Sequence, residues 1–273
     1  MYSLVILFSN DRLEQLQIMM NCWRQQAEGF EDCEKILVVD GKLIQKPEGD
    51  WTVLEIQRNQ AAYCWADTLN AGVQAATKQI VFYYDSDRII SRGHVQYCLE
   101  TLYQEAAYVY TPKLFSFHAW PATMSIEQLC QAADRPDEHR STMLYPDFRV
   151  SDPEHYEHKN PFSGGVAFRK ETFLDHGGFD RRFIGYGYPD FDFFMNTTRR
   201  GAKFVQAPGA ELHMPHLYLA GDRMVALHNA WNCWQYVMKW DLDRTFVDGF
   251  WKKLNIPMAA RGCHDLNEFL ACV

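Results

Sequence analysis

The stretch IVFYYDSDR, residues 80–88, decides how the chain is read. An unbroken run of aliphatic and aromatic residues gives way to two acids two positions apart. Such a run fits a strand buried on both faces, as in a parallel sheet covered by helices. The acids fall where the strand leaves the sheet, and in sheets of this kind ligands bind at the carboxyl ends of the strands. On extended backbone a spacing of two points Asp85 and Asp87 to one side. Two like charges held that close favour a cation between them. Carboxylate oxygens suit Mn2+ or Mg2+, with water and substrate phosphates completing the shell. Taken alone, an Asp-x-Asp is common, and it also reads as an acidic turn before the next helix.

The chain on either side repeats the pattern. SLVILF (3–8), KILVVDG (35–41), WTVLEIQ (51–57) and AYVYTP (107–112) read as further strands, the second ending in Asp40. Between them lie helical periodicities. Leu13, Leu16, Met20 and Trp23 recur on one face, after a capping-box-like Asp11 and Glu14. Ala62, Ala66, Leu69, Val73 and Ala76 do the same, and 93–106 is a third helix. The order β-α-β-β-α-β-α-β implies an α/β fold with a mostly parallel sheet flanked by helices. Residues 115–160 are rich in Pro, His, Asp and Glu. They read as a long connection with one short helix at 125–133, of the kind that often forms a lid or binding loop. PDFDFFMNTTRRG (189–201) is a helix with Pro189 at its first position and Gly201 just past its end. A long helix covers about 222–240. ELHMPH (211–216) places His213 and His216 three apart. A histidine can complete a Mn2+ shell begun by carboxylates, although most single histidines are surface or core residues and this chain has 10.

Composition limits the classes of function. At 273 residues, 47% hydrophobic and 15% aromatic, the chain reads as a well-packed globular α/β domain. A net charge of −8 argues against nucleic acid as the main partner. The 8 cysteines are scattered without a CxxC pair, which suits a reducing, cytoplasmic compartment and argues against a thiolate zinc site. The N-terminal run reads as a first strand, not a signal peptide. No stretch approaches the ~18 apolar residues of a spanning helix, which leaves only peripheral contact with a membrane.

Several ordered stretches together resemble the nucleotide-sugar-dependent glycosyltransferases of the GT-A fold, over roughly residues 3–216. The likeness is to family 2 enzymes and to those with a galactosyltransferase-like C-terminal half. RNQAAYCWADTLNAGVQAATKQIVFYYDSD resembles the family's Asn/Ala-rich helix running into its Asp-x-Asp strand. NPFSGGVAFRKETFLDHGGFDRRFIGYGYPDFDFF resembles its Ser-Gly-Gly turn, Gly-Gly-Phe-Asp and Gly-Trp-Gly-Gly-Glu-Asp-x-Asp. ELHMPH stands where the family supplies a metal-binding His.

The resemblance implies a catalytic domain over 1–216 with a helical extension over 217–273 packed on it. It implies that Phe8, Arg12, Arg58, Asn59 and Asn70 line the nucleotide site, and that Asp40 meets the uracil. Asp85, with Ser86 beside it, would face the ribose or metal-bound water, and Asp87 would bind the metal, completed by His213 or His216. Gly164 and Gly165 would let backbone approach the donor sugar, and Tyr186 takes the place of the sugar-pocket Trp. Asp190 aligns with the family's base, and the first turn of a helix favours its anionic form. Asp192 is the alternative, otherwise a helix-start acid paired to Arg181 or Arg182. Phe191, Phe194 and Met195 read as core, with Tyr186 and Tyr188 as stacking candidates.

The implied activity is a metal-dependent, inverting transfer from a UDP-sugar to a hydroxyl of a glycan or polysaccharide precursor. The cofactor is Mn2+ or Mg2+ and the partners are donor and acceptor. Three features depart from the family pattern: VVDGK in place of Asp-Asp-Gly-Ser, Tyr in place of Trp, and Pro189 where the family carries Glu. The alternatives are a retaining transferase of the same fold, a nucleotidyltransferase, whose Gly-rich signature FSNDRLEQ lacks, and an inactive sugar- or nucleotide-binding scaffold.

Overall fold

The computed structural model describes residues 1–56, 65–111, 114–117, 124–136, 144–146, 162, 164–185, 187–214 and 223–273. Arg58, Asn59, Tyr186 and His216 lie outside the described residues.

The run quoted above forms β4 (Ile80–Asp85), in the middle of the main sheet. β1 (Ser3–Phe8) pairs parallel to it on one side, followed outward by β2 (Glu34–Asp40) and β3 (Trp51–Ile56), both parallel. On its other side comes β9 (Val166–Arg169), antiparallel, then β6 (Tyr108–Tyr110) and β10 (Phe204–Gln206). The sheet is mostly parallel, as expected. The antiparallel β9 is an insertion that periodicity does not reveal.

Alternation along the central strands supplies two core layers. Leu4, Ile6, Phe8, Phe82 and Tyr84 face α1 (Leu13–Gln26), α3 (His94–Gln104) and α4 (Ile126–Asp134). Val5, Leu7, Val81 and Tyr83 face α2 (Trp65–Ala75), α5 (Lys170–Asp175) and α6 (Pro189–Arg199). This double burial is why β1 and β4 read as continuous apolar runs. α1 starts differently from the expected capping box. A 3-10 turn over Asn10–Arg12 precedes it, and no side chain caps the helix. α4 does carry a capping box, between Ser125 and Gln128.

A second sheet has the order β5 (Arg88–Ile90), β11 (Glu211–His213), β7 (Leu114–Phe117), β8 (Leu144–Pro146). Two of these strands lie in the segment expected to be a long connection, so that expectation is corrected. At three or four residues each, they are too short to show a period. α7 (Arg223–Trp240), α8 (Thr245–Lys253) and α9 (Leu266–Cys272) enclose a third apolar cluster around Trp231, Trp234, Trp251 and Phe269. Ile184 and Tyr188, from the loop before α6, pack against it. Among the described residues no helix is long and apolar enough to cross a membrane.

Two details of the core give tests. A Cβ on Gly72 of α2 would lie 2.4 Å from Val5 Cγ1 and 2.7 Å from Val38 Cγ2. Gly72→Ala gains at most about 1 kcal/mol of helix propensity but overpacks at a cost of about 1–3 kcal/mol. We expect a net loss in urea unfolding; a stabilised variant would show that α2 does not lie against β1 and β2. The second is His94, buried, with Nε2 2.6 Å from Tyr84 Oη and Nδ1 3.3 Å from Thr111 Oγ1. Burial pulls its pKa down to about 4. The unfolded chain takes up this proton first, near pH 6.5, so stability is present above that value and falls as pH drops toward 4. Between pH 7 and pH 5 this group removes about 2 kcal/mol. His94→Gln should flatten that part of the pH dependence, and an unchanged slope would show that His94 is not held neutral.

Candidate functional site

β4 ends at Asp85, and the turn through Ser86 and Asp87 feeds directly into β5. The two acids meet different surroundings. Asp85 is 26% exposed, with Tyr83 Oη donating to its Oδ1 at 3.2 Å. Asp87 is 1% exposed. Arg12 Nη1 donates to its Oδ2 at 2.8 Å, and His213 Nε2 lies 3.5 Å from the same oxygen. Arg88, fully buried, bridges the pair: its Nε is 3.5 Å from Asp87 Oδ1 and its Nη2 is 3.5 Å from Asp85 Oδ2. Burial pushes the Asp87 carboxyl up, but His213, Arg12 and Arg88 outweigh it and hold the group far below the usual carboxylate range. Asp87 is therefore an anion in the protein interior.

The second sheet brings His213 here. β11 pairs antiparallel with β5 so that His213 stands opposite Arg88, and Met214 N donates to Asp87 O at 2.9 Å. A residue that the sequence reading missed arrives with it. Glu211, two residues earlier in β11, is buried and accepts from Gly165 N at 3.2 Å. Burial raises its carboxyl to about 7, against the opposing pull of Arg88 and the Gly165 amide. The signal for it was the alternation in ELH, which puts Glu211 and His213 on one side of the strand. Gly164 and Gly165 meet these groups. A Cβ at Gly165 would lie 1.7 Å from the Tyr84 ring, and one at Gly164 would lie 3.3 Å from Glu211 Oε2. Packing alone thus demands glycine at position 165.

Other expected residues sit as follows. Asp40 ends β2, half-buried. Phe8 closes β1 with its ring packed into the core. Ser86 is buried, its Oγ without a hydrogen-bond partner among the described residues. Asn70 is buried in α2, donating to Phe179 O at 2.8 Å and accepting from Phe179 N at 2.9 Å. It thereby holds the Gly-Gly-Phe-Asp turn.

α6 begins after Tyr188, whose φ of 71° turns the chain into Pro189. Its two first-turn acids divide. Asp192 is 2% exposed, with Lys239 Nζ donating to Oδ2 and Trp240 Nε1 to Oδ1, both at 2.8 Å. Its ion-pair partner is thus Lys239 of α7, not Arg181 or Arg182, which pair with Asp67 and Asp180. Burial raises its carboxyl in spite of these donors. Asp190 is half-buried. Tyr188 stacks among Phe191 at 5.7 Å and Tyr236 at 5.4 Å, and Phe191, expected in the core, is 45% exposed.

The donor set of Asp85, Asp87 and His213, two carboxylates and an imidazole, suits Mn2+. Among the described residues no three such side chains already converge as a metal cage. Arg12 and Arg88 are interleaved with them.

Comparison with known proteins places the fold. No curated protein matches the sequence. A mannosyltransferase from Pyrobaculum calidifontis, solved in complex with GDP-Man and Mn2+, is similar in structure at 14% identity and a TM-score of 0.54. The match covers 99% of this chain and 73% of that one. GalNAc-T7, solved with UDP, GalNAc and Mn2+, is similar at 13% identity and a TM-score of 0.55, over 99% of this chain and 56% of that one. At such identities the likeness shows the fold. The family profile described as glycosyltransferase like family 2 matches residues 3–218. The chain therefore belongs to the glycosyltransferase family 2-like enzymes and is a transferase with the GT-A fold.

Proposed function

We propose that the chain transfers a sugar from a UDP-sugar to a hydroxyl of a glycan or polysaccharide precursor, with inversion and with a divalent metal. Residues 1–216 form the catalytic unit and 217–273 its helical extension. The observation that carries the reading is the ionised Asp87 beside His213 at the carboxyl end of β4. Mn2+ in the complexes of the Pyrobaculum mannosyltransferase and GalNAc-T7 supports the metal, and UDP in the latter supports the nucleotide. Asp40, at the end of β2, is the group for the uracil. The scattered cysteines keep the cytoplasm as the compartment.

Asp85, Asp87 and His213 would hold the metal, which when bound supplies Lewis-acid stabilisation of the departing diphosphate. The chain's own residues do the rest. Asp190 takes the acceptor proton as the hydroxyl attacks in a single displacement. Its place at the start of α6 favours the anion, and its half-exposure leaves it reachable. Asp192, 2% exposed and bonded by Lys239 and Trp240, is out of reach of an acceptor. It anchors α6 to α7 instead.

Asp87→Ala should abolish Mn2+-dependent UDP binding in calorimetry, and unchanged binding would sink the metal assignment. Asp190→Asn should keep UDP binding and melting temperature while kcat falls by about 10²–10⁴. Asp192→Ala should instead cost about 1–3 kcal/mol of stability by leaving the Trp240 indole N–H without its acceptor and Lys239 with Asp180 alone. An active Asp190→Asn beside a folded but inactive Asp192→Asn would reverse the roles. NMR of the first-formed product should show the inverted anomer; retention would exclude Asp190 as base.

A further inference from the structure

Arg12 and Arg88 both serve Asp87, but they are mounted differently. Arg88 is fully buried in β5 and fixed by the second sheet. Arg12 ends a short 3-10 turn on the loop between β1 and α1, and its side chain is 26% exposed. It covers an oxygen of a carboxylate that is itself 1% exposed. Its grip is partial. Nη1 reaches Asp87, while Nε is buried with no hydrogen-bond acceptor among the described residues. A guanidinium offers five N–H donors in a planar fork that matches two phosphate oxygens better than one carboxylate oxygen.

These facts set up a competition. His213 Nε2 and Arg12 Nη1 both approach Asp87 Oδ2, at 3.5 and 2.8 Å, so a divalent ion held by Asp87 and His213 would contend with Arg12 for that oxygen. Two cations on one oxygen repel, and burial strengthens the repulsion. We propose that Arg12 is an exchangeable cation: it competes with the metal for Asp87 Oδ2, and the donor's diphosphate draws it off. Nucleotide and metal then bind with positive cooperativity, because each removes what opposes the other. Linkage requires the effect to be reciprocal, in the usual range of about 5–150-fold. The inference rests on the metal reading above and adds to it an antagonist supplied by the protein.

The test is binding, read without turnover. Mn2+ is titrated into the full chain, with free ion followed by its electron paramagnetic resonance signal, with and without saturating UDP. Wild type should bind Mn2+ weakly alone and at least about 5-fold more tightly with UDP. Arg12→Ala should bind Mn2+ alone about 5-fold more tightly than wild type, bind UDP more weakly, and lose most of the coupling. Opposite signs for the two ligands are the signature, since a residue that only supports the loop would weaken both. Arg12→Lys keeps the charge and should stay as weak for Mn2+ as wild type while recovering only part of the UDP affinity. If Arg12→Ala does not fold, Arg12→Gln, neutral and of similar length, carries the same comparison. The proposal is overturned if the neutral variant binds Mn2+ no better than wild type, or UDP as well as wild type. If no variant and no wild type binds Mn2+ with or without UDP, the metal reading itself falls.

Discussion

A carboxylate anion buried at the end of β4 is the constraint around which this molecule is arranged. Removing a charge from water costs several kcal/mol unless partners surround it. Asp87 obtains its partners from three separate parts of the chain: Arg12 after β1, Arg88 in β5, and His213 in β11. The second sheet exists at this point because β5 continues straight out of the Asp85–Asp87 turn and needs a strand partner, and β11 fills that place in the register that sets His213 against Arg88. Stability and site are therefore the same set of contacts here. A buried anion paired with two arginines is poorly explained as a device for stability alone, since well-packed apolar residues usually do as well or better.

The same strand, β11, ties Asp87 and His213 to Gly164 and Gly165. Glu211 reaches the amide of Gly165, while Tyr84 fills the space that a side chain at 165 would need. Gly165 is thus held between β4 and β11, and the crowding by Tyr84 alone accounts for a glycine there. The C-terminal helices are fastened by a second polar anchor, Asp192 with Lys239 and Trp240, and Lys239 extends to Asp180 at 2.9 Å. The extension after residue 217 thus grips both ends of the segment that carries Asp190.

What could be read from the sequence was what is local. β1 and β4 announce themselves because both faces are buried, α6 because Pro189 and Gly201 punctuate it, and Asp85 and Asp87 because a strand end displays them. The family likeness rested on motifs of the same local kind. What stayed hidden is non-local. β5, β7, β8 and β11 are too short for periodicity, and their pairing joins residues far apart in the chain. The antiparallel β9 has the composition of any buried strand. Nothing in the local sequence marks Arg88 or Lys239, and only the alternation in ELH points to Glu211. Their roles depend on partners that no spacing rule reaches.

The acids of PDFDFF show how environment, and not residue type, assigns a role. On a helix, positions two apart point about 200° away from each other, so Asp190 and Asp192 cannot share surroundings. The positive φ at Tyr188 and the proline at the first helical position fix where the helix begins, and with it which acid turns inward. Asp192 turns toward α7, where burial raises its carboxyl and two donors hold it in place. Asp190 is left half-buried on another face of the first turn, with the helix dipole favouring its charge. Asp192 is 2% exposed and bonded by two donors, whereas Asp190 keeps part of its surface in solvent. Proline at 189, where the family pattern carries Glu, leaves Asp190 and Asp192 as the two acids of this turn, and the base proposed above is the one that keeps contact with solvent.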